Sequence, residues 1–272
     1  MTGRPALLYC VPMGTDGEPQ PAEPTAITIA VVIPSRNDAQ LLAVCLAHLA
    51  AQTRPADEII VVDNASSDDT AAVCAAAGVR RIYWAAPGVG GASAVGFDAA
   101  RAGILARLDA DSRPGPDWLA RVEAGLGEAG DFALVTGPGD FYGGTALVRW
   151  AGRVLYLGGY FHVVGPMLGH PPVFGSNYAM TAAVWERIGP AVARDEPRIH
   201  DDLDVSYLVR PDMSVRVDPA MRMPVSARPF ESWGALGLRL GKAWTTLAHE
   251  FRRERPWNRR RERKQWERSH RP

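Results

Sequence analysis

Two acidic clusters in this chain have residue types and spacing that could do chemistry. Asp109 and Asp111 close an apolar stretch, residues 104–112 (Ile-Leu-Ala-Arg-Leu-Asp-Ala-Asp-Ser), and the breakers Arg113-Pro114-Gly115-Pro116 follow. Side chains two apart on an extended segment point to the same face, so this spacing predicts two carboxylates converging at the C-terminal edge of a strand. Carboxylates so placed repel unless a positive group lies between them, and a hard divalent cation holding phosphate oxygens meets that need. Surface turns use the same Asp-x-Asp pattern, so its meaning depends on its neighbours. The second cluster, Asp201, Asp202 and Asp204, leads into an apolar-periodic helix. Carboxylates are favourable at a helix N-terminus, and capping alone would account for these three.

The elements that must position these groups are legible upstream. Residues 27–33 are a β-branched run, predicted as a buried strand. It ends in Pro34-Ser35-Arg36-Asn37-Asp38, where Asn37 or Asp38 can cap a helix carrying Leu41, Leu42, Cys45, Leu46 and Leu49 at helical spacing. Residues 58–62 form a second apolar run, followed by Asp63-Asn64-Ala65-Ser66-Ser67-Asp68-Asp69-Thr70 and an Ala-rich helix to Ala77, with Gly78 as its left-handed stop. A third strand over 79–84 precedes a Gly-rich loop, Gly88 to Gly91, a helix from about Ala94 to Ala102, and a strand ending at Asp109. Alternating strands and helices predict an α/β, Rossmann-like domain with a mostly parallel sheet and ligands at the strands' C-terminal edge. Every polar cluster in this half falls on that edge. A dinucleotide-binding domain does not fit. The first strand leads into Pro-Ser-Arg-Asn, and the later Gly-rich loop lacks the third glycine of G-x-G-x-x-G.

The order Val-Val-Ile-Pro-Ser-Arg-Asn-Asp (31–38), Asp-Glu-Ile-Ile-Val-Val-Asp-Asn-Ala-Ser-Ser-Asp-Asp-Thr (57–70) and Leu-Asp-Ala-Asp (108–111) resembles the family 2 glycosyltransferases of GT-A fold. The resemblance extends from about Thr28 to Arg210. It implies a nucleotide-diphospho-sugar site in which Pro34, Ser35 and Arg36 form the first loop and Asp63 contacts the base. Asn64, Gly91 and Asn177 are the further donor-site residues it implies. Asp109 and Asp111 would contact ribose and a divalent metal, Mn²⁺ or Mg²⁺, bound to the diphosphate. Residues 174–181 resemble the family's Gly-x-Asn strand beside the donor sugar. Residues 199–204 resemble its Glu-Asp-x-Asp motif, which makes Asp202 the general base of an inverting transfer and Asp201 its supporting carboxylate. UDP-sugars are the favoured donors. Two departures stand out. The His that often follows in the family is absent, with Ser226 or Arg228 near its place, and the Gln-x-x-Arg-Trp signature of processive synthases is missing.

The implied organisation is a flexible Pro-rich leader over residues 1–25 and a GT-A domain over 26–230, with a nucleotide-binding half (26–112) and an acceptor half (113–230). Residues 231–272 read as an amphipathic helix and basic tail. Residues 141–170, aromatic and Gly-rich with no clear period, read as either irregular packing or an acceptor loop. The three cysteines have no metal-ligand spacing, which suits reduced thiols of a cytosolic chain. No run of about 18 apolar residues is present, so no membrane span is predicted.

The 272 residues carry 30 basic and 30 acidic side chains. Residues 252–272 hold ten Lys/Arg against three Glu, a local +7, which leaves −7 on the remainder. Two readings of that tail stay open: a helix docked on the domain with a solvated end, or a surface for anionic membrane beside a lipid-linked acceptor. An acidic body without a recognition module gives no expectation of nucleic-acid binding. The expected partners are therefore the nucleotide-sugar and a carbohydrate or lipid-linked acceptor. The expected setting is cell-envelope polysaccharide or glycolipid synthesis in the cytoplasm, with peripheral attachment at the inner face of the membrane. The alternative class is a catalytically silent sugar-nucleotide-binding scaffold of the same fold. A sugar-phosphate nucleotidyltransferase would need a Gly-rich, Arg/Lys-bearing loop after the first strand, and this chain has none.

Overall fold

The computed structural model describes residues 27–127, 129–230 and 233–270. The expected leader, residues 1–25, lies outside the described residues. The β-branched run forms β1 (Ile29–Ser35), buried at every position. It is followed by α1 (Ala39–Ala50), β2 (Glu58–Asp63), α2 (Thr70–Ala77), β3 (Arg80–Tyr83), α3 (Val89–Ala99) and β4 (Ile104–Arg107). Gly78 ends α2 in the left-handed conformation, at φ 65°. The remaining elements are α4 (Trp118–Gly127), β5 (Ala133–Thr136), β6 (Gly139–Tyr142), α5 (Ala146–Ala151), α6 (Gly165–Leu168), β7 (Tyr178–Thr181), α7 (Ala182–Ile188), α8 (Asp201–Leu208), β8 (Ser214–Val217), β9 (Met223–Ser226), α9 (Trp233–Arg253) and α10 (Pro256–Ser269).

The seven-stranded sheet has the order β3-β2-β1-β4-β7-β5-β8, with β6 and β9 paired separately. Six of its strands run parallel and β7 alone runs against its two neighbours. The two-residue period of β1 divides the core. Ile29, Val31 and Ile33 pack with Leu42, Leu46, Trp118 and Leu119 on one face. Ala30 and Val32 pack with Phe97, Met180, Val184 and Trp185 on the other. Burying each Leu, Ile, Val or Phe contributes about 1.5–3 kcal/mol, and every residue of β1 is fixed to one layer or the other. This is a three-layer α/β/α arrangement with helices on both faces.

Three sequence-based expectations shift. The helix expected from about Ala94 begins at Val89, so the Gly-rich stretch lies inside its first turn. The strand expected to end at Asp109 stops at Arg107, and residues 108–112 turn, with the Ser112 amide donating to the Asp109 carbonyl at 3.0 Å. The convergence of Asp109 and Asp111 is therefore a product of that turn and not of strand alternation. Within the stretch 141–170, residues 146–168 are continuously helical: α5 runs through π-helical turns (Gly152–Leu157 and Tyr160–Val164) into α6.

The basic tail folds back on the domain. The His200 amide donates to Thr246 Oγ1 of α9 at 2.9 Å. Arg259 of α10 is buried, donates to the Val209 carbonyl at 2.9 Å and lies over the Tyr207 ring. Asp204 of α8 meets Glu250 of α9 in the same seam, and both side chains are nearly solvent-free. Burial, then a hydrogen bond and like charge from Asp204, push the Glu250 carboxyl up to about 8 against the opposing pull of Arg253 and Arg259. His249 approaches the same carboxyl at 3.9 Å. A raised folded-state value means that the stabilisation is complete below the ordinary carboxylate range and is lost as pH rises through about 8. Thermal unfolding followed across that range should show stability declining with pH, and Glu250→Gln should flatten the decline. An identical pH dependence in the variant would refute this assignment.

Candidate active site

A cleft of about 780 Å³ opens at the C-terminal edge of the parallel strands, within the usual range for small-molecule sites. Pro34, Ser35 and Arg36 from the end of β1 line one side, and Asp109 and Asp111 from the turn after β4 line another. Gly175 and Ser176, entering β7, and Asp201 and Asp202, opening α8, meet them. Because β7 runs opposite to its neighbours, its start arrives at the same edge where the parallel strands end.

Arg107 ties these segments together. The last residue of β4, it is almost fully buried, and its Nη2 lies 3.0 Å from Asp109 Oδ1 and 3.0 Å from Asp201 Oδ2. Its Nη1 donates to the Gly175 carbonyl. Burial alone would favour the neutral guanidine, but Asp109 and Asp201 outweigh it and hold Arg107 charged. Ser93 of α3 donates to Asp201 Oδ2 at 3.0 Å, and Ser176 donates to Asp109 Oδ2.

Among the described residues, Asp202 is the carboxylate of this cluster without an ion-pair partner. Its Oδ2 accepts from the Gly175 amide at 3.0 Å and its Oδ1 from the Leu203 amide at 2.8 Å. Burial, then the charge of Asp201, push its carboxyl above the ordinary range, with His200 and Arg107 acting in the opposite direction. A carboxylate with a raised proton affinity in a cleft is suited to general-base work. A Cβ on Gly175 would lie 3.0 Å from Asp202 Oδ2 and 2.9 Å from Arg107 Nη1, so only glycine leaves this approach open.

Asp63, Asn64, Gly91 and Asn177 have other surroundings. Asp63 is buried against Arg81, which donates to its Oδ2 at 2.5 and 2.8 Å. Burial would raise its carboxyl, but Ser66 and Arg81 hold it below the ordinary range. Asn64 reaches the cleft wall while its amide donates to the carbonyls of Trp84 and Ala86, pinning the loop before α3. Gly91 is packed against the protein instead of the cleft: a Cβ there would lie 2.7 Å from the Arg194 carbonyl oxygen. Asn177 is wholly buried, accepting from Trp118 Nε1 at 2.8 Å and donating to the Met221 carbonyl at 2.5 Å. The structure thus makes Gly91 and Asn177 supports of the site, one shell removed from the cavity. Asp204, expected on a different helical face from Asp202, is turned away to Glu250 and to the Ala193 amide.

Sequence reasoning missed Arg107, Ser93, Ser176, Tyr156, Tyr160 and Lys242. Arg107 alone left a signal, as a charge inside an otherwise apolar strand. Of Ser226 and Arg228, the two residues near the place where the family often carries a His, Arg228 lines the cleft. Its Nη1 lies 2.8 Å from Asp38 Oδ1, and its Nη2 lies 3.8 Å from Asp111 Oδ2.

Among the described residues no group of three or more His, Cys, Asp or Glu side chains is placed to hold a metal ion. The cleft nevertheless fits a hard cation that completes its shell from a ligand. Asp111 presents a carboxylate to the cavity with Asp109 beside it, and diphosphate and water oxygens are the ligands that such ions accept.

The family model for glycosyl transferase family 2 matches residues 30–171, more than half of the chain. The chain belongs to that family. It is 38% identical over 109 residues to an uncharacterized glycosyltransferase of Mycobacterium tuberculosis, a match spanning 40% of this chain and 47% of that relative. It is 35% identical over 100 residues to one from Nostoc, covering 35% and 31%. The chain thus matches about half the length of the mycobacterial relative. Among solved structures it resembles glucosyl-3-phosphoglycerate synthase from M. tuberculosis in complex with Mn²⁺, UDP and phosphoglyceric acid, at TM-score 0.57 and 19% identity, covering 82% of this chain and 78% of that one. S. aureus TarS in complex with UDP-GlcNAc gives TM-score 0.58 at 13% identity, covering 74% and 58%. These similarities place the chain in the GT-A fold.

Removing one partner of a buried ion pair leaves the others uncompensated, at a cost of about 3–5 kcal/mol. Arg107→Met should therefore lower unfolding free energy by about that amount in denaturant titration. A loss below about 1 kcal/mol, the scale of an exposed ion pair, would mean that Arg107 does not hold the cluster together.

Proposed function

We propose that the chain is an inverting glycosyltransferase that moves a sugar from a nucleotide-diphospho-sugar, with UDP the favoured nucleotide, to an acceptor hydroxyl. The observation that carries this reading is the meeting of Asp109, Asp111, Asp201 and Asp202 in one cleft at the strand edge, with Arg107 bridging Asp109 and Asp201. Ser35 Oγ, buried in the cleft wall without a hydrogen-bond partner among the described residues, supports a polar ligand at the first loop. Mn²⁺ in the M. tuberculosis synthase complex supports a divalent metal here. Asp111 and Asp109 would hold it, and it would supply positive charge to the diphosphate.

The chain's own residues account for the remaining steps. Arg228, on the Asp111 side of the cleft, adds a fixed cation where the leaving diphosphate gains negative charge. Asp202 takes the proton of the acceptor hydroxyl as its oxygen bonds to the anomeric carbon. The bond from that carbon to the diphosphate breaks, and the nucleoside diphosphate leaves with the electron pair. Arg107 neutralises Asp201 and Asp109, so that Asp202 accepts the proton beside a compensated neighbour.

The acceptor in this reading is a carbohydrate or a lipid-linked one, in cell-envelope polysaccharide or glycolipid synthesis. Trp244 and Trp257, exposed beside Arg252, Arg255, Arg260 and Arg261, support contact of the C-terminal helices with an anionic membrane from the cytoplasmic side. No helix among the described residues is long and apolar enough to cross a membrane.

Thermal unfolding with UDP-, GDP- and dTDP-sugars, each with and without Mn²⁺ or Mg²⁺, tests the donor site. One nucleotide should stabilise the protein by about 2.7 kcal/mol at a hundred times its dissociation constant, and Asp111→Ala should remove the metal-dependent part. No shift with any nucleotide would sink the reading.

Asp202→Asn should keep that donor shift while turnover falls on the order of 10²–10⁴-fold. In the wild type, kcat/KM should fall as pH drops through a value above the ordinary carboxylate range, because the base must be ionised. Full turnover in Asp202→Asn would remove Asp202 from the base role.

A further inference from the structure

The helical segment of residues 146–168 has two faces with different surroundings. Its inner side contributes Tyr156, Leu157 and Tyr160 to the cleft. Its outer side leaves five large apolar side chains in solvent: Leu147, Trp150, Val154, Leu155 and Val163, exposed at 71%, 50%, 43%, 65% and 61%. Scattered exposed apolar residues are ordinary, but a cluster on one short segment marks an interaction surface.

The charges around this patch are mostly positive: Arg149, Arg153 and Arg222 flank it, and the neighbouring carboxylate, Asp140, is paired with Arg222. From Phe141 to Trp185 the sequence has no Asp or Glu, and Arg149 and Arg153 stand exposed among the apolar residues. A two-fold contact with a second copy would juxtapose the same patch on both copies and set these arginines against their equivalents. An anionic lipid surface would neutralise them, and Trp, Leu and Arg on one helix face suit the boundary between headgroups and acyl chains. Leu157 is also shared between the cleft and a neighbouring cavity of about 340 Å³ lined by Arg153, His162 and Arg222, so the outer side borders the active site.

Resting on the glycosyl-transfer reading, we infer that this face seats on an anionic bilayer and that the acceptor is a lipid-linked molecule presented from that bilayer beside Tyr156 and Tyr160. The docking helix and the acceptor wall are two sides of one element, so seating the first brings the second to the membrane surface.

The test is co-flotation of the full chain with phosphatidylcholine vesicles, with and without phosphatidylglycerol, and UDP-induced thermal shift measured on the same preparations. The wild type should float only with phosphatidylglycerol. The combined variant Leu147→Ser, Trp150→Ser, Leu155→Ser should lose about tenfold or more of that partition, and Arg149→Glu with Arg153→Glu should lose its salt-sensitive part. The UDP shift should be unchanged in both, because none of these residues lines the donor cleft. An unchanged UDP shift without wild-type flotation would overturn the docking inference and leave the transferase reading intact. Flotation that survives both variants undiminished would overturn it and leave the C-terminal helices as the sole membrane contact. A wild-type dimer that becomes monomeric in the serine variant would overturn it in favour of a second copy. Loss of the UDP shift in the wild type itself would mark failure of the donor site, a separate result.

Discussion

The site depends on one buried charge that cannot be left alone. Arg107 ends a central strand in a region that excludes water, and a guanidinium there is stable only if carboxylates come to it. Asp109 is two residues away, whereas Asp201 arrives from the start of α8, far along the chain. The ion pair therefore joins the half that ends at β4 to the half that contains α8. A segment that displaced α8 would strand both Arg107 and Asp201 in low dielectric, so the demands of folding and of site assembly coincide.

The raised proton affinity of Asp202 follows from the same arrangement. Arg107 spends its directed contacts on Asp109, Asp201 and Gly175, and Asp202 is left with backbone amides and a like-charged neighbour. The cluster thus separates two adjacent carboxylates by environment: Asp201 is bound in an ion pair, and Asp202 has its proton affinity raised. Behind α8, Asp204 repeats the theme with Glu250, where two carboxyls meet with too little cationic charge and one remains protonated near neutral pH. The C-terminal helices are accordingly part of the support of the site. Arg259 of the tail is engaged by the Val209 carbonyl and Glu254, while Glu254 and Glu262 also reach out of the tail to Arg210.

What could be read in the sequence was what lies close together along the chain. The alternation of β-branched runs with helical spacing marked β1, α1, β2 and α2, because local period and burial agree there. Asp109, Asp111, Asp201 and Asp202 were visible as acidic clusters beside apolar segments, and the structure brings all four into one cleft. Contacts that depend on chain crossing were not visible. Asn177 resembles a donor-site residue by motif, yet its side chain is consumed by Trp118 and Met221. Gly91 sits in a Gly-rich stretch like a phosphate loop, but its missing Cβ makes room for the backbone of Arg194. Residues 141–170 resisted reading because seven glycines and a proline depress helix propensity, and their π turns are fixed by packing such as Phe141 and Phe230 against that segment.

The antiparallel strand β7 also has a consequence for how the chain acquires its shape. It lies between β4 and β5 in the sheet but is made more than forty residues after β5. β5 has no other sheet neighbour except β8, which is made later still. At ribosomal rates of about 5–20 residues per second, the apolar Ala133–Thr136 strand waits for seconds with both edges open. The strands β3, β2, β1 and β4 form one parallel block before β7 arrives, and the outer edge of β4 waits for that same strand. Biogenesis of this chain is therefore staged, with the half from β1 to β4 able to assemble first and the other half closing around a late-arriving strand. That interval is when a chaperone, or a misdirected strand from another chain, would find it.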